Sequence, residues 1–96
     1  MNVVAIKCPG RLTNSGERAY ISLKLPKPIS ASSFSISLTN ASLFTAEGVL
    51  TVSSLSDVQD RGLHAFGELV FTIPLSTTSV GGAVCLVELS GTITFS

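Results

Sequence analysis

In the stretch SSFSISLTN (residues 32–40), hydroxyl and apolar side chains alternate strictly from Ser33 to Thr39. A period of two is the repeat of an extended strand, because successive side chains of a strand point to opposite faces of the sheet. Phe34, Ile36 and Leu38 are therefore expected on the buried face. The hydroxyl groups of the stretch share the other face, so the sequence predicts an amphipathic β-strand here.

The same period continues along the chain. AYISLKL (residues 19–25), LHAFGELVFTIPL (residues 63–75) and GTITFS (residues 91–96) carry apolar residues at every second position. GAVCLVEL (residues 82–89) is almost continuously apolar, which is typical of a central strand, and Glu88 sets its outward phase. Clusters of Gly, Pro, Asn and Ser separate these runs and predict turns, with Ser90-Gly91 as a tight hairpin.

We predict a single all-β domain over residues 1–96, built as a small antiparallel β-sandwich or jelly roll of about 6–8 short strands. A chain of 96 residues is long enough for one core and too short for two. Gly67 is expected to bend the long run at 63–75. SLSDVQDRG (residues 54–62) carries helix start and stop signals, so one short helical turn is predicted near 57–61.

The composition argues against two classes of partner. Charged residues make up 12% of the chain, against roughly 25% in an average protein, and 15 Ser and 9 Thr supply most of the polar surface. The formal net charge is zero, and the chain lacks the basic stripe that neutralises nucleic-acid phosphates. No apolar run approaches the roughly 18 residues of a membrane span. We expect no nucleic-acid partner and no membrane span.

The N-terminal residues MNVVAIKCPG lack the basic and apolar regions of a secretory signal. We therefore expect cytoplasmic synthesis without a signal peptide, and thiols that stay reduced. Cys8 and Cys85 are expected as small core residues, with Val4 in the same inward phase as Cys8. Whether the two cysteines pair stays open, since a bridge requires the first and penultimate strands to lie side by side.

Candidates for catalysis and metal binding are few. His64 is the single histidine, and neither a nucleophile motif nor a metal-ligand spacing accompanies it. Asp57 and Asp60 lack the oxygen pattern of a calcium loop, and a helix N-terminus explains Asp57 more simply. We expect no catalytic residue, no metal site and no cofactor. A small hydrolase built around His64 is the least favoured interpretation.

A neutral, charge-poor surface favours association, most simply with a second copy of the chain. We predict a non-enzymatic structural or adhesive module that acts through homo-oligomeric β packing in a larger protein assembly. The class expected is a virion or phage accessory protein (capsid decoration, head fibre or tail appendage), for which a trimer is one compatible state. The candidate interface residues are Tyr20, Ser33, Ser35, Ser37, His64 and Phe66.

The alternative is a carbohydrate- or peptide-binding β-sandwich module that uses the loops at 9–18 and 74–82. Sugar-binding sheets commonly stack their ligands on aromatic side chains, whereas this chain has no Trp and one Tyr. A hydroxyl array formed by the serines of residues 33–37 with Thr92 and Thr94 is a further alternative, as a surface for ice or another regular lattice. It is disfavoured because the sequence contains no internal repeat.

Overall fold

The computed structural model describes residues 1–25, 33–63, 67–76 and 81–95. These residues form seven antiparallel strands in one hydrogen-bonded sheet, so the predicted all-β class is confirmed. In chain order the strands are β1 (Asn2–Leu12), β2 (Arg18–Lys24), β3 (Phe34–Thr45), β4 (Gly48–Leu50), β5 (Gln59–Leu63), β6 (Glu68–Pro74) and β7 (Val84–Phe95). Their spatial order is β4-β3-β7-β1-β2-β6-β5.

The predicted sandwich or jelly roll is not confirmed, because the described strands belong to a single sheet. This sheet curls until the chain that follows β4 meets the end of β6. The Ser53 amide donates a hydrogen bond to the Pro74 carbonyl at 3.1 Å, and Val52 forms an antiparallel bridge with Leu75. The curled sheet thereby encloses one cluster of buried residues.

Alternate residues of the long strands supply this core. The largest fully buried side chains are Phe71, Leu12, Ile21, Leu23, Leu43, Leu69, Ile73, Leu89, Ile93 and Val87. In β2, Ala19 and Ile21 are fully buried, whereas Tyr20 and Lys24 are exposed, as the alternation predicts. Burial of each large apolar side chain contributes about 1.5–3 kcal/mol, so the core is the main source of stability.

The predicted helical turn near 57–61 is wrong. Gln59 and Asp60 belong to β5, where they pair with β6. Asp60 Oδ1 accepts a hydrogen bond from the Gly62 amide at 2.6 Å, which forms a side-chain turn rather than a helix cap. Pairing with β6 satisfies the backbone groups that a helical turn would have bonded internally, so the tertiary contact overrides the local capping signals.

The long run at 63–75 is divided between two strands, and one predicted hairpin differs from the structure. Leu63 ends β5, and Glu68–Pro74 form β6, which pairs antiparallel with β5. Gly67, the predicted bend, has a φ of 78° and lies immediately before β6. Ser90-Gly91 does not form a hairpin, because β7 continues through it without interruption.

β7 keeps one phase along its length, and both of its neighbouring strands bulge beside Ser90. The register shifts between Val3 and Ile6 in β1, and between Leu38 and Asn40 in β3. A bulge places an extra residue in one strand and moves its inward and outward phases by one position. The three long central strands therefore change register together at one level of the sheet.

Ser90 and Gly91 hold these bulges in place. Ser90 Oγ accepts a hydrogen bond at 2.9 Å from the amide of Ala5, whose φ of 48° is left-handed. A Cβ on Gly91 would overlap the carbonyl oxygen of Ser37, so only glycine fits there. As a consequence of the β1 bulge, Val4 is 82% exposed, and its predicted inward position is wrong.

Candidate functional site

The outer face of β3, β7 and β1, with the adjoining β4, carries two zones of different chemistry. The hydroxyl zone comprises Ser35, Ser37, Thr92 and Thr94. The apolar zone comprises Pro9, Phe44, Val49, Val84 and Leu86. Between the zones lie the bulges and one charged row, in which Lys7 of β1 and Glu88 of β7 are directly opposed.

Direct cross-strand pairing builds the apolar zone. Phe44 of β3 lies opposite Val49 of β4 on one side and opposite Leu86 of β7 on the other. Leu86 in turn lies opposite Pro9 of β1, so one apolar row crosses four adjacent strands. Apart from Pro9, the large apolar residues of the zone, including Val84 in the next row, are 41% to 67% exposed. A contiguous apolar patch of this kind is typical of a contact surface.

A shallow depression of about 250 Å³ adjoins the apolar zone where β1 meets β2. It is lined by Pro9, Gly10, Arg11, Tyr20, Ser22 and Val84. Arg11 lies opposite both Val84 and Tyr20, and the Tyr20 ring is partly exposed. Tyr20, a predicted interface residue, therefore borders the apolar zone and is separated from Val84 by Arg11.

The hydroxyl zone brings together two sequence motifs that lie far apart in the chain. Ser35 is opposite Thr94, and Ser37 is opposite Thr92. Thr92 Oγ1 also donates a hydrogen bond to Asn2 Oδ1 at 3.2 Å. The hydroxyl zone contains two rows of paired side chains. It ends at the level of Thr92, because the bulges of β1 and β3 follow directly.

The predicted interface residues fall in different places. Tyr20 borders the apolar zone, whereas Ser35 and Ser37 lie in the hydroxyl zone at the other end of the face. Ser33 precedes β3 and is partly buried. The remaining two, His64 and Phe66, lie outside the described residues. The described part of the chain thus gives no single surface that unites them.

Sequence reasoning missed the apolar zone, although one signal for it was present. Glu88 marks the outward phase of β7, and Leu86 and Val84 share that phase. An apolar residue at an outward position is unremarkable when it stands alone. The row becomes visible only when the register places Phe44 and Pro9 beside Leu86.

The two cysteines lie beneath this face as buried, free thiols on the adjacent strands β1 and β7. Cys8 is opposite Val87, and Cys85 is opposite Gly10, so the cysteines occupy neighbouring positions of the ladder. Burial raises the pKa of Cys8 to about 11, and repulsion from Cys85 adds to this effect. Burial also raises the pKa of Cys85. Both thiols are therefore poor nucleophiles near neutral pH.

A polar cluster around Arg18 joins β2, β6 and the segment before β5. Arg18 Nη1 forms an ion pair with Asp57 Oδ2 at 3.0 Å, and Nη2 donates to the carbonyl of Asp57 at 2.9 Å. Arg18 Nε donates to Oγ1 of the buried Thr72 at 3.1 Å. Asp57 is thus a partner of Arg18, and the helix-terminus explanation of this residue is wrong. The cluster anchors the segment that precedes β5 and has a structural role.

Comparisons with protein-family models, with curated proteins and with solved structures each return no significant match. Within residues 1–25, 33–63, 67–76 and 81–95, no group of three or more His, Cys, Asp or Glu is placed to hold a metal ion. The same ranges contain no helix long and apolar enough to cross a membrane.

Proposed function

We propose that this protein is a non-enzymatic structural or adhesive module that acts through homo-oligomeric β packing, with the apolar zone as its contact surface. The observation that carries the proposal is the exposed row formed by Val49, Phe44, Leu86 and Pro9 across four strands. Covering this row removes apolar area from water and gains about 25 cal/mol per Å². Isolated apolar side chains would not give a continuous surface for a partner.

A virion or phage accessory protein is the class that we propose for this module, as a capsid decoration, head fibre or tail appendage. The support is chemical compatibility. A curled antiparallel sheet with one core, 12% charged residues and a zero net charge packs against a protein lattice with little charge desolvation. The contact face also stays exposed in the isolated chain, so it is ready for assembly.

A Lys substitution in each zone tests the contact surface. Leu86→Lys is expected to abolish self-association, because an unpaired charge buried at an interface costs about 2–5 kcal/mol. Thr94→Lys is the matched control, since it places the same charge on the same strand and face, within the hydroxyl zone. Sedimentation velocity over a concentration series measures the mass, and circular dichroism checks that both variants fold.

Two results would contradict the proposal. The first is a wild-type chain that sediments as a monomer into the high micromolar range. The second is an equal loss of association in Leu86→Lys and Thr94→Lys, because a contact confined to the apolar zone should distinguish them. Association that survives Thr94→Lys and disappears in Leu86→Lys is the expected outcome.

A second candidate, binding of a peptide or sugar, is favoured by the depression beside Tyr20. One aromatic ring, the Arg11 guanidinium and the apolar wall at Val84 converge there. The volume of about 250 Å³ lies below the roughly 300–1,000 Å³ of ordinary ligand pockets, so this candidate ranks second. A ligand panel that raises the melting temperature of the wild type, but not of Tyr20→Ala, would support it.

A further inference from the structure

The strand β3 has one open edge, on the side away from β7. Within the part of the chain that the structure describes, the stretch Phe34–Leu38 pairs with β7 alone, since β4 covers only Leu43–Thr45. An open edge presents a row of backbone N–H and C=O groups. Because donors and acceptors alternate along this row, an extended polypeptide is the ligand that fits them in register.

Two hydrogen bonds of β7 show which backbone groups of β3 point to this edge. The Ile93 amide donates to the Met1 carbonyl at 2.8 Å, and the Met1 ammonium donates to the Ile93 carbonyl at 2.7 Å. Both backbone groups of Ile93 therefore point away from β3. Ile36 lies directly opposite Ile93, so its own N–H and C=O point away from β7, toward the open edge. Phe34 and Leu38 share this phase, because the direction of the backbone groups alternates along a strand.

A groove of about 290 Å³ runs along this edge. One wall is formed by Ile36, Ser37 and Leu38, and the other by Leu55 and Ser56. The side chains of Ile36 and Ser37 point to opposite faces of the sheet, so a groove that both residues line lies at the edge rather than on one face. Ile36 and Leu55 pack against the core and stay partly exposed. The groove therefore joins backbone hydrogen-bonding groups to an apolar floor.

The stretch Phe34–Leu38 lacks the features that protect most edge strands from pairing, which are charges, prolines and bulges. The sequence contains no Lys, Arg, Asp or Glu between Lys27 and Glu47. The register of β3 shifts only after Leu38. A ladder at this edge can therefore extend over Phe34–Leu38, a length of about 13 Å at roughly 3.3 Å per residue.

We propose that the groove between β3 and Leu55 binds an extended segment of another protein, which adds to Phe34–Leu38 as an antiparallel strand. The segment that fits is uncharged and has apolar side chains at alternate positions. Its backbone pairs with the groups of Phe34, Ile36 and Leu38, and its apolar side chains cover Ile36 and Leu55. Antiparallel addition matches every described pairing of the sheet and gives the more stable ladder.

This site is separate from the apolar zone, which lies on the outer face beyond the bulges. The inference therefore goes beyond homo-oligomeric packing and does not rest on it. A second folded copy is a poor occupant, because its own β3 edge lies behind the same wall of Leu55 and Ser56. A flexible segment carries no such wall, so it can align its backbone with the edge.

A synthetic peptide tests the site. The probe has seven residues in which threonine and valine alternate, since both residue types favour strands. Its termini are blocked, so it carries no charge. We expect saturable binding to the wild type with a dissociation constant below about 1 mM, measured by isothermal titration calorimetry.

Two N-methylated versions of the probe show whether the backbone carries the contact. In antiparallel addition, directly opposite residues share a face, so inward valines lie opposite Phe34, Ile36 or Leu38 and bond to β3 through their N–H groups. Methylation of the valine nitrogens removes these donors and is expected to weaken binding at least about tenfold. The threonine nitrogens face the other wall of the groove. Their methylation is the matched control and should change the affinity by less than about threefold.

Ile36→Pro tests the same contact from the protein side. Proline removes the Ile36 N–H, and the ladder with β7 keeps its bonds because that N–H points away from β7. Ile36→Ala is the matched control, since it shortens the side chain and keeps the N–H. We expect Ile36→Pro to bind the probe at least about tenfold more weakly than Ile36→Ala. Circular dichroism checks that both variants fold.

The outcomes decide the proposal. Weaker binding after valine methylation alone, together with the difference between Ile36→Pro and Ile36→Ala, supports strand addition to β3. Equal effects of the two methylations, or a loss after threonine methylation alone, would overturn it, and so would a probe that does not bind at about 1 mM. If Ile36→Pro does not fold, the methylated peptides decide by themselves. Failure here leaves the proposed function standing, and a monomeric wild type leaves this groove standing, because the two surfaces are separate.

Discussion

The hydroxyl zone and the apolar zone share the strands β3 and β7 and face the same side of the sheet, yet a partner would gain different amounts of free energy by covering them. In the hydroxyl zone, a partner would have to replace the water bonded to Ser35 and Thr94, and each replaced hydrogen bond gains only about 0.5–1.5 kcal/mol net. In the apolar zone, covering Phe44 and Leu86 releases water that forms no bond to them. Only the apolar zone gains substantially from a partner, so we place the contact there.

The bulges at Ser90 make this division possible. Without them, β1 and β3 would keep one phase along their whole length, and the residues that now face outward beyond the bulge would face inward. Phe44 faces outward because β3 shifts its register between Leu38 and Asn40. The same local feature thus curves the central strands and sets the side chains of the apolar zone.

Among the variants that test the division of the face into two zones, Gly91→Val is expected to have the largest effect, because Gly91 allows β3 to approach β7 closely. Its side chain would overlap the Ser37 carbonyl oxygen and approach Leu38 Cα at 2.9 Å. We expect a loss of at least about 4 kcal/mol in the free energy of unfolding, measured by urea denaturation. Thr92→Val, the control on the next residue, should lose about 1 kcal/mol with its hydrogen bond to Asn2. Equal losses in the two variants would show that the close approach at Gly91 is not essential.

These bulges also mark the positions beyond which the alternation of the sequence no longer predicts which side chains are buried. β2 and β6 contain no register shift within their mutual pairing, and their alternation predicted the buried faces at Ile21 and Phe71. β1 and β3 change phase through contacts between distant residues, such as the Ala5 amide with Ser90 Oγ. Such a contact leaves no local pattern in the chain, so the inward position predicted for Val4 is wrong.

The residues of the candidate site also divide into those that one strand can predict and those that depend on pairing between strands. The exposure of Tyr20 was predicted from the phase of β2, because that prediction needs one strand alone. The apolar row needs the register of four strands at once, and this register depends on long-range pairing. The helical turn predicted near 57–61 failed for a related reason, since pairing with β6 determines the structure of Gln59 and Asp60.

The parts of the core beneath the two zones are expected to contribute differently to the pH dependence of stability. Cys8 and Cys85 lie under the apolar zone, whereas Ile93 lies under the hydroxyl zone. Burial raises the pKa of Cys8 from its ordinary value of 9.0 to about 11 in the folded chain. The neutral thiol is thus favoured by folding, and its contribution is complete below about pH 9 and is lost as the pH rises toward 11. Between these values we expect a loss of about 3 kcal/mol in the free energy of unfolding.

Cys8→Ala isolates this contribution from the other groups that titrate at alkaline pH. The variant should be less stable at pH 7, because it leaves a small cavity in the core. Its stability should then decline less steeply than that of the wild type above about pH 9, as measured by urea denaturation at several pH values. If the free energies of unfolding of the two chains change in parallel with pH, burial does not raise the pKa of the Cys8 thiol in the folded chain.

The smallest expected effect belongs to Ser35→Lys. Ser35 is exposed and lies opposite Thr94, about 26 Å along an extended strand from the level of Leu86. This separation exceeds the Debye length of about 8 Å at physiological ionic strength, so the new charge is screened from the apolar zone. We expect the free energy of unfolding to change by less than about 0.5 kcal/mol, with no change in the mass of the assembly.

Phe44→Lys is the matched change, because it places the same charge on the same strand and face within the apolar zone. It is expected to weaken association at least about tenfold, as an unpaired charge in the contact would. If Ser35→Lys weakens association as strongly as Phe44→Lys, the hydroxyls are part of the contact and a partner covers the entire face. If only Phe44→Lys does so, the hydroxyls of SSFSISLTN are the solvent side of an amphipathic strand, and the contact begins beyond the bulges.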